Sequence, residues 1–295
     1  MPAELVQVSD HCYYIQSPTK VGLVHLGGEE VCLIDSGNDK SAGKLIRKIL
    51  DAHAWRLRAI YCTHSHADHI GGCKYLQSQT GCSIYAPGIE CSFTRHTALE
   101  PALLYGGYPC SALRNKFLLA QESDAQPLST AALPPGFSAI PLPGHSLDMV
   151  GYRAPDDVVY LADSLFSRAT LEKYRICFLY DVAAHLRTLE TLQNMHAACF
   201  IPSHAEVTDN IAELASFNAE QVHLVADTIL DLCAREPLSA ETLLQRLFDT
   251  FHLTMNFEQY VLVGSTLRSY LSWLTDTGKL QPTFENNTLR WASPA

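Results

Sequence analysis

Residues 57–62, Leu-Arg-Ala-Ile-Tyr-Cys, read as a short buried strand, and the chain passes from it directly into Thr63-His64-Ser65-His66-Ala67-Asp68-His69. Four imidazole or carboxylate side chains at the end of an apolar β run constrain the fold strongly, because a strand that stops in polar chemistry is one edge of a site held by a rigid scaffold. His64 and His66 stand two residues apart, so an extended backbone projects them to one side, while Asp68 and His69 can turn towards a neighbouring point. Neutral imidazole and carboxylate are the donors that suit Zn²⁺, at about 2.0–2.2 Å, and they also serve iron or manganese.

The surrounding pattern is mixed α/β. Residues 12–17, 20–26 and 31–35 read as an antiparallel meander with a Gly27-Gly28 turn, followed by a helix over 40–53 capped from Asp39 or Ser41. A helical, aromatic-containing insert is expected over about 89–127, broken by Gly106-Gly107 and Pro109, and positioned to cover a pocket. Strands resume at 137–142, 150–153 and 158–162, then come a helix over 181–195, a strand at 199–201 and the loop Pro202-Ser203-His204. Strands and helices in two similar halves point to a layered α/β sandwich. The pair Gly71-Gly72 lacks any phosphate-binding context and reads as a site of close backbone packing.

Past about residue 207 the strands nearly vanish. Asn210 and Glu213 form a capping-box pattern at the head of a helix of about 25 residues, and further helices are expected near 238–250 and 256–277. A hairpin around Glu285-Asn286-Asn287 closes the chain, so residues 208–295 resemble a winged-helix module appended to a domain of residues 1–207. Such modules often bind DNA, but residues 211–295 hold five Lys or Arg against ten Asp or Glu, a net of −5, which argues against nucleic acid. Apolar Leu262, Leu267, Leu271 and Trp273 offer a helix face on which a homodimer could form.

The motif His64-x-His66-x-Asp68-His69 resembles that of the metallo-β-lactamase superfamily, and the later members of that family's ligand set follow in order over about residues 10–207. Pro143-Gly144-His145-Ser146 matches the next histidine, Leu161-Ala162-Asp163-Ser164 the bridging aspartate, and Pro202-Ser203-His204 the last histidine. Ile34-Asp35-Ser36-Gly37 is similar to the upstream aspartate motif, whose carboxylate orients the ligands without touching metal. The resemblance implies an αββα four-layer sandwich and two divalent metal ions, zinc first, with iron or manganese as alternatives. His64, His66 and His145 would hold one, Asp68, His69 and His204 the other, and Asp163 would bridge them. A hydroxide held between two cations forms near neutral pH, so the implied activity is hydrolysis of an ester, thioester or related acyl bond of a small molecule, with Asp68 as a catalytic residue orienting that hydroxide.

Within the superfamily the sequence is selective. Flavodiiron proteins carry glutamate where His66 stands. The stretch Tyr160-Leu161-Ala162-Asp163 is similar to glyoxalase II, yet residues 167–175 lack its Gly-Cys-Gly-Lys/Arg run; lactonases place tyrosine where Phe166 stands. Two other readings compete with hydrolysis. One is a persulfide dioxygenase with a single iron on His64, His145 and Asp163, and the other a ligand-binding regulator that keeps a vestigial site and acts through its C-terminal module. Of the other histidines only His185, on the helix after Asp181, is placed to face the cleft.

Composition excludes several classes. The formal charge of −10, with 47% hydrophobic and 18% charged residues, is that of an ordinary globular chain and disfavours bulk attraction to nucleic acid or anionic membrane. The start, Met-Pro-Ala-Glu-Leu-Val, lacks a secretory signal, and no run approaches a membrane span. Ten cysteines without a CxxC pair read as reduced buried thiols, and the expected location is the cytoplasm.

Overall fold

The computed structural model describes residues 4–294. The first sheet runs β1 (Leu5–Gln7), β2 (Cys12–Ile15), β3 (Val21–Gly27), β4 (Glu30–Ile34), β5 (Arg56–Tyr61), β6 (Ser83–Ala86) and β7 (Ala125–Pro127), each strand paired with the next in the chain. The meander β1–β4 is antiparallel, and β4 to β7 are parallel. Parallel pairing needs crossovers, and the first two are α1 (Lys40–Ala52) and the segment holding α2 (Ala67–Ile70) and α3 (Cys73–Thr80). Asp39 caps α1, its carboxylate accepting from the Ser41 and Ala42 amides. The third crossover is the expected insert, which is helical in α4 (Glu90–Arg95), α5 (Leu99–Tyr105) and a single 3-10 turn at Ser111–Leu113.

The second sheet has the order β11 (Cys199–His204), β10 (Val158–Phe166), β9 (Val150–Ala154), β8 (Ser138–Pro141). After β10 come α6 (Arg168–Tyr174) and α7 (Val182–Gln193), and after β11 the long α8 (Ala212–Arg235). Three cores follow from the alternation of side chains along the strands. Ile46, Leu50, Leu76 and Ile84 fill the space between the first sheet and its helices. Val24, Ile34 and Tyr61 meet Tyr152, Tyr160 and Ile201 between the sheets. Leu161, Leu189, Phe200 and Ala215 join the second sheet to α7 and α8. The layers are therefore α, β, β, α, as the resemblance implies.

The C-terminal elements are α9 (Ala240–Thr250), α10 (Phe257–Asp276) and the hairpin β12 (Gln281–Glu285) with β13 (Thr288–Ala292). Leu238 bridges antiparallel to Trp291, so a short extended piece, two helices and a hairpin follow α8 in winged-helix order. Its core is shared with the sandwich, because Ile176, Leu179 and Val182 pack among Val225, Leu243 and Leu271. The expected capping box is only half formed. The Asn210 side chain accepts from the Ala212 amide, whereas Glu213 pairs at 2.8 Å with Arg168, a tertiary partner that outcompetes the reciprocal cap. Of the four apolar residues on the helix face considered for a homodimer, Leu267 and Leu271 are buried in this core. Among the described residues no helix is long and apolar enough to cross a membrane.

The Gly71-Gly72 pair seats the motif-bearing turn on the strand β4 exit. A Cβ on Gly71 would lie 2.1 Å from the Asn38 carbonyl oxygen, and one on Gly72 2.4 Å from that of Ser36. Backbone cannot yield as a flexible side chain does, so Gly71→Ala is expected to destabilise by about 1–3 kcal/mol or more. Thermal unfolding would show it as a lowered Tm, against Lys74→Ala on the exposed side of α3 as a near-neutral control.

Candidate metal centre

Every residue singled out by the motifs arrives at one place, the ends of β4, β5, β10 and β11 together with the loop between β8 and β9. The side chains form two groups whose ligand atoms lie within 4.8 Å of one another: His64, His66 and His145, then Asp68, His69, Asp163 and His204. In the first, Nδ1 of His66 stands 3.1 Å from Nε2 of His64 and 3.0 Å from Nε2 of His145. Donors at roughly 2.0–2.1 Å around a tetrahedral zinc stand about 3.3 Å from each other, so this spacing suits a single ion.

The outer nitrogens are committed elsewhere, which turns the inner nitrogens towards the centre. Nδ1 of His145 donates to the Phe178 carbonyl at 3.0 Å, and Nδ1 of His204 to that of Pro18 at 3.2 Å. Asp35 governs His69 in the same way, accepting from its Nδ1 at 2.8 Å. The same carboxylate accepts from the Thr63 amide at 2.7 Å and hydroxyl at 2.8 Å, so it also fixes the start of the motif loop. Asp35 adopts a left-handed backbone, φ 65°, which aims the carboxylate back at β5. Thr63 hydroxyl lies 3.0 Å from Nδ1 of His64, extending this hydrogen-bonded support to the first group.

Asp163 touches both groups. Its Oδ1 is 3.0 Å from Nε2 of His69, and its Oδ2 lies 3.1 Å from Nε2 of His204 and 3.5 Å from Nε2 of His145. It sits just after Ala162, at φ 51°, where the pairing of β10 with β11 shifts register, and this local irregularity re-aims the carboxylate to the strand end. Despite their proximity, Nε2 of His69 and Oδ1 of Asp163 make no hydrogen bond and are wholly buried. Two orphaned polar atoms pointing at a shared space are costly for protein alone and natural around a cation. The donor set and spacing thus fit two divalent metals.

Electrostatics divides the centre. Burial pushes the His145 imidazole down to about 3 and drives His64 far below its usual range, helped there by His69 and His66. These rings are neutral and ready to coordinate. Burial opposes charge on His204 too, but Asp163 and Asp68 prevail and raise it to about 10; His69 is raised likewise by Asp163, Asp68 and Asp35. Burial would raise the carboxyls, yet His204 and His69 hold Asp163 well below the usual range, and His69 and His204 do the same for Asp68. Protons on His69 and His204 therefore balance the carboxylates where a cation would otherwise sit.

Several supporting residues were not legible as such. Glu90, wholly buried at the head of α4, accepts from the amide and hydroxyl of Ser65, from the Ser146 hydroxyl, and from the Asp148 amide at 3.0 Å. One carboxylate so ties the His64–His66 loop to the His145 loop. The Thr19 hydroxyl donates to Asp68 at 2.7 Å. Gly144 lets the His145 loop lie on α7, for a Cβ there would fall 2.2 Å from the His185 amide nitrogen.

A cavity of about 310 Å³ opens over the centre, lined by His66, Asp68, His145, Asp163 and His204 and walled by residues 166–178 and by Gln259, Leu262 and Val263 of α10. Phe178 stands edge-on to His66, and Phe166 stacks on His204. This differs from expectation in two respects. The 89–127 insert supplies none of these walls; its Leu104, Leu113 and Leu118 instead pack behind α10 on Val261. His185 lines a separate, much smaller cavity with Cys177 and Asn218, since α7 turns that face towards α8.

Comparison with known proteins agrees with this architecture. Residues 15–204 match the model of the metallo-beta-lactamase superfamily. A hydroxyacylglutathione hydrolase of Nitrobacter hamburgensis is 32% identical over 127 residues, 43% of this chain and 40% of the relative. The chain spans about half or less of the length of the curated relatives it matches. Among solved structures, a beta-lactamase domain protein from Burkholderia ambifaria superposes with TM-score 0.75 at 15% identity, covering 99% of this chain and 94% of that one. A metallo-beta-lactamase family protein from Thermus thermophilus gives TM-score 0.71 at 15% identity, covering 99% of both.

Two outcomes are expected. Asp35→Asn keeps shape and tolerates the left-handed backbone, but it removes the charge and sets an amide NH2 against one of the donors the carboxylate accepts from, so it should weaken metal binding at the His69 group roughly 10–100-fold, read by competition with a chromogenic chelator. Metal entering the Asp68–His69–His204 group must displace protons that at pH 7 sit on His69 and His204, whereas the His64 group has none to lose. Affinity of the former should therefore climb as pH rises between about 6 and 8 while that of the latter stays flat, and calorimetry in buffers of different ionisation enthalpy would count the protons released.

Proposed function

The chain belongs to the metallo-beta-lactamase superfamily, and from that premise we propose that it is a metal-dependent hydrolase of an ester, thioester or related acyl bond in a small molecule. The observation that carries this reading is the convergence of two donor groups on one shared carboxylate, Asp163, at the floor of an accessible cleft. His64, His66 and His145 would hold one divalent ion and Asp68, His69 and His204 the other, with Asp163 common to both. When bound, such ions lower the pKa of water and polarise a carbonyl or leaving oxygen.

The protein's own groups supply the rest. Asp68 lines the cleft with its carboxylate held ionised and steadied by Thr19, a position from which it accepts a hydrogen bond from an attacking water and aligns that water. Phe166 and Phe178 exclude solvent from the imidazoles and limit the approach of substrate to the open side. The low-identity likeness to hydroxyacylglutathione hydrolases supports a thioester or ester carbonyl as the reacting group.

Metal analysis of the purified chain should find about two divalent ions, and chelation should abolish turnover of an acyl ester and thioester panel, restored by zinc, manganese or iron. Asp163→Asn is expected to lower kcat by roughly two orders of magnitude or more, as loss of an electrostatic group in such a site does. One iron per chain with oxygen uptake on a persulfide would instead support a dioxygenase. Two bound metals without turnover of any acyl substrate would count against hydrolysis.

A further inference from the structure

The cleft over the centre is not isolated. Thr170 and His204 also line a second cavity of about 420 Å³ on the far side of the centre, whose walls are Gln16, Ser17, Lys20, Ser203, Glu4 and Glu206. On the other side His66 and Phe178 border a small gap that continues to Leu103, Leu104 and Tyr180. The three spaces share lining residues, and five of the seven donor residues, His66, Asp68, His145, Asp163 and His204, line the middle one. The two arms differ in chemistry. The arm under α10 is apolar, presenting Phe166, Ile176, Phe178, Leu262 and Val263, and leads to the exposed Leu103 and Tyr180. The arm beyond His204 is more polar and carries two carboxylates against one lysine, whose Nζ also donates to the Ala205 carbonyl.

We propose that the substrate is an amphiphile, a long-chain acyl ester or thioester whose chain lies in the apolar arm and whose neutral or cationic polar leaving group lies in the Glu4–Lys20–Glu206 arm. This rests on the acyl-hydrolase reading and narrows it. An anionic leaving group such as a peptide with free carboxylates or a phosphorylated carrier would meet the two carboxylates of Glu4 and Glu206, against which Lys20 is the one Lys or Arg among the described lining residues. In the reaction, water oxygen bonds to the acyl carbon and the bond from that carbon to the ester oxygen or thioester sulfur breaks. The leaving atom keeps the electron pair and takes a proton, and the carboxylic acid gives its own proton to solvent. The straight chain and the head group then occupy the two arms that flank the reacting carbonyl.

The test uses the full metal-loaded chain. Esters of acyl groups from two to twelve carbons are assayed with three leaving groups, a trimethylammonium alcohol, glycerol and a phosphorylated alcohol. Affinity for n-alkyl hydroxamates of the same lengths is measured by calorimetry. Expected is a rise in kcat/KM and in hydroxamate affinity of about fourfold per methylene until the arm is filled, with the phosphorylated head slowest. Leu262→Asn should flatten the dependence on chain length. The exposed substitution Glu206→Gln, which leaves the core intact, should narrow the gap between cationic and phosphorylated heads. Turnover of short esters that does not climb with chain length, or a preference for the phosphorylated head, overturns the assignment while leaving hydrolysis standing. Hydroxamate affinity that climbs with length without turnover of any ester supports the apolar arm and removes the hydrolase reading. Affinity indifferent to length overturns the proposal outright.

Discussion

His69 comes from α2, which follows β5 of the first sheet, and Asp163 from β10 of the second, and their 3.0 Å approach is where the two halves of the sandwich meet chemically. Both side chains are almost wholly buried, so each charge depends on the other and on Asp35 behind it. Removing one partner from a buried pair of this kind costs about 3–5 kcal/mol because the other is left uncompensated. The sheets are therefore held in register by the same groups that converge on the centre, and the geometry of the donors is inseparable from the packing of Tyr152 and Tyr160 between the sheets.

Around that contact the chain builds support in widening circles. Asp35 and Thr63 orient the motif loop, Glu90 joins it to the His145 loop, and Gly144 lets that loop rest on α7. The polar groups among them are buried and hydrogen-bonded, which is how a low-dielectric interior fixes orientation instead of merely tolerating charge. The aromatic rings of Phe166 and Phe178 close the remaining sides.

What was legible in the sequence is what chemistry makes local. Metal donors come from few residue types at short spacing, so His64 to His69 could be read directly, whereas His145, Asp163 and His204 were legible through the resemblance to the metallo-β-lactamase superfamily. A layered α/β sandwich and the terminal hairpin were legible from alternation and turn residues, and the four layers through that resemblance. Glu90 was not, because a carboxylate in an apparently helical insert looks like a solvated charge until tertiary structure shows it wholly buried. The cleft walls were legible in part: the C-terminal helices were expected to shape the pocket together with the insert, and α10 does so through Leu262 and Val263, although nothing in their spacing distinguishes a cleft wall from a core. Glu213 illustrates the limit of capping rules, since Arg168, far away in sequence, claimed it.

The long helix α8 gives its first turns, with Ala215, to the second sheet and its later turns, with Val225 and Ile229, to the C-terminal core. A cut between sandwich and appendage would therefore strip the outer layer from the sheet that carries Asp163 and His204, and would also remove α10 from the cleft. The appendage is in this sense not a detachable accessory. In other settings a winged-helix arrangement leaves its third helix free for a groove; here that helix already has an occupant, the cleft of its own chain, so any inheritance of this module by recombination would have had to bring both parts together.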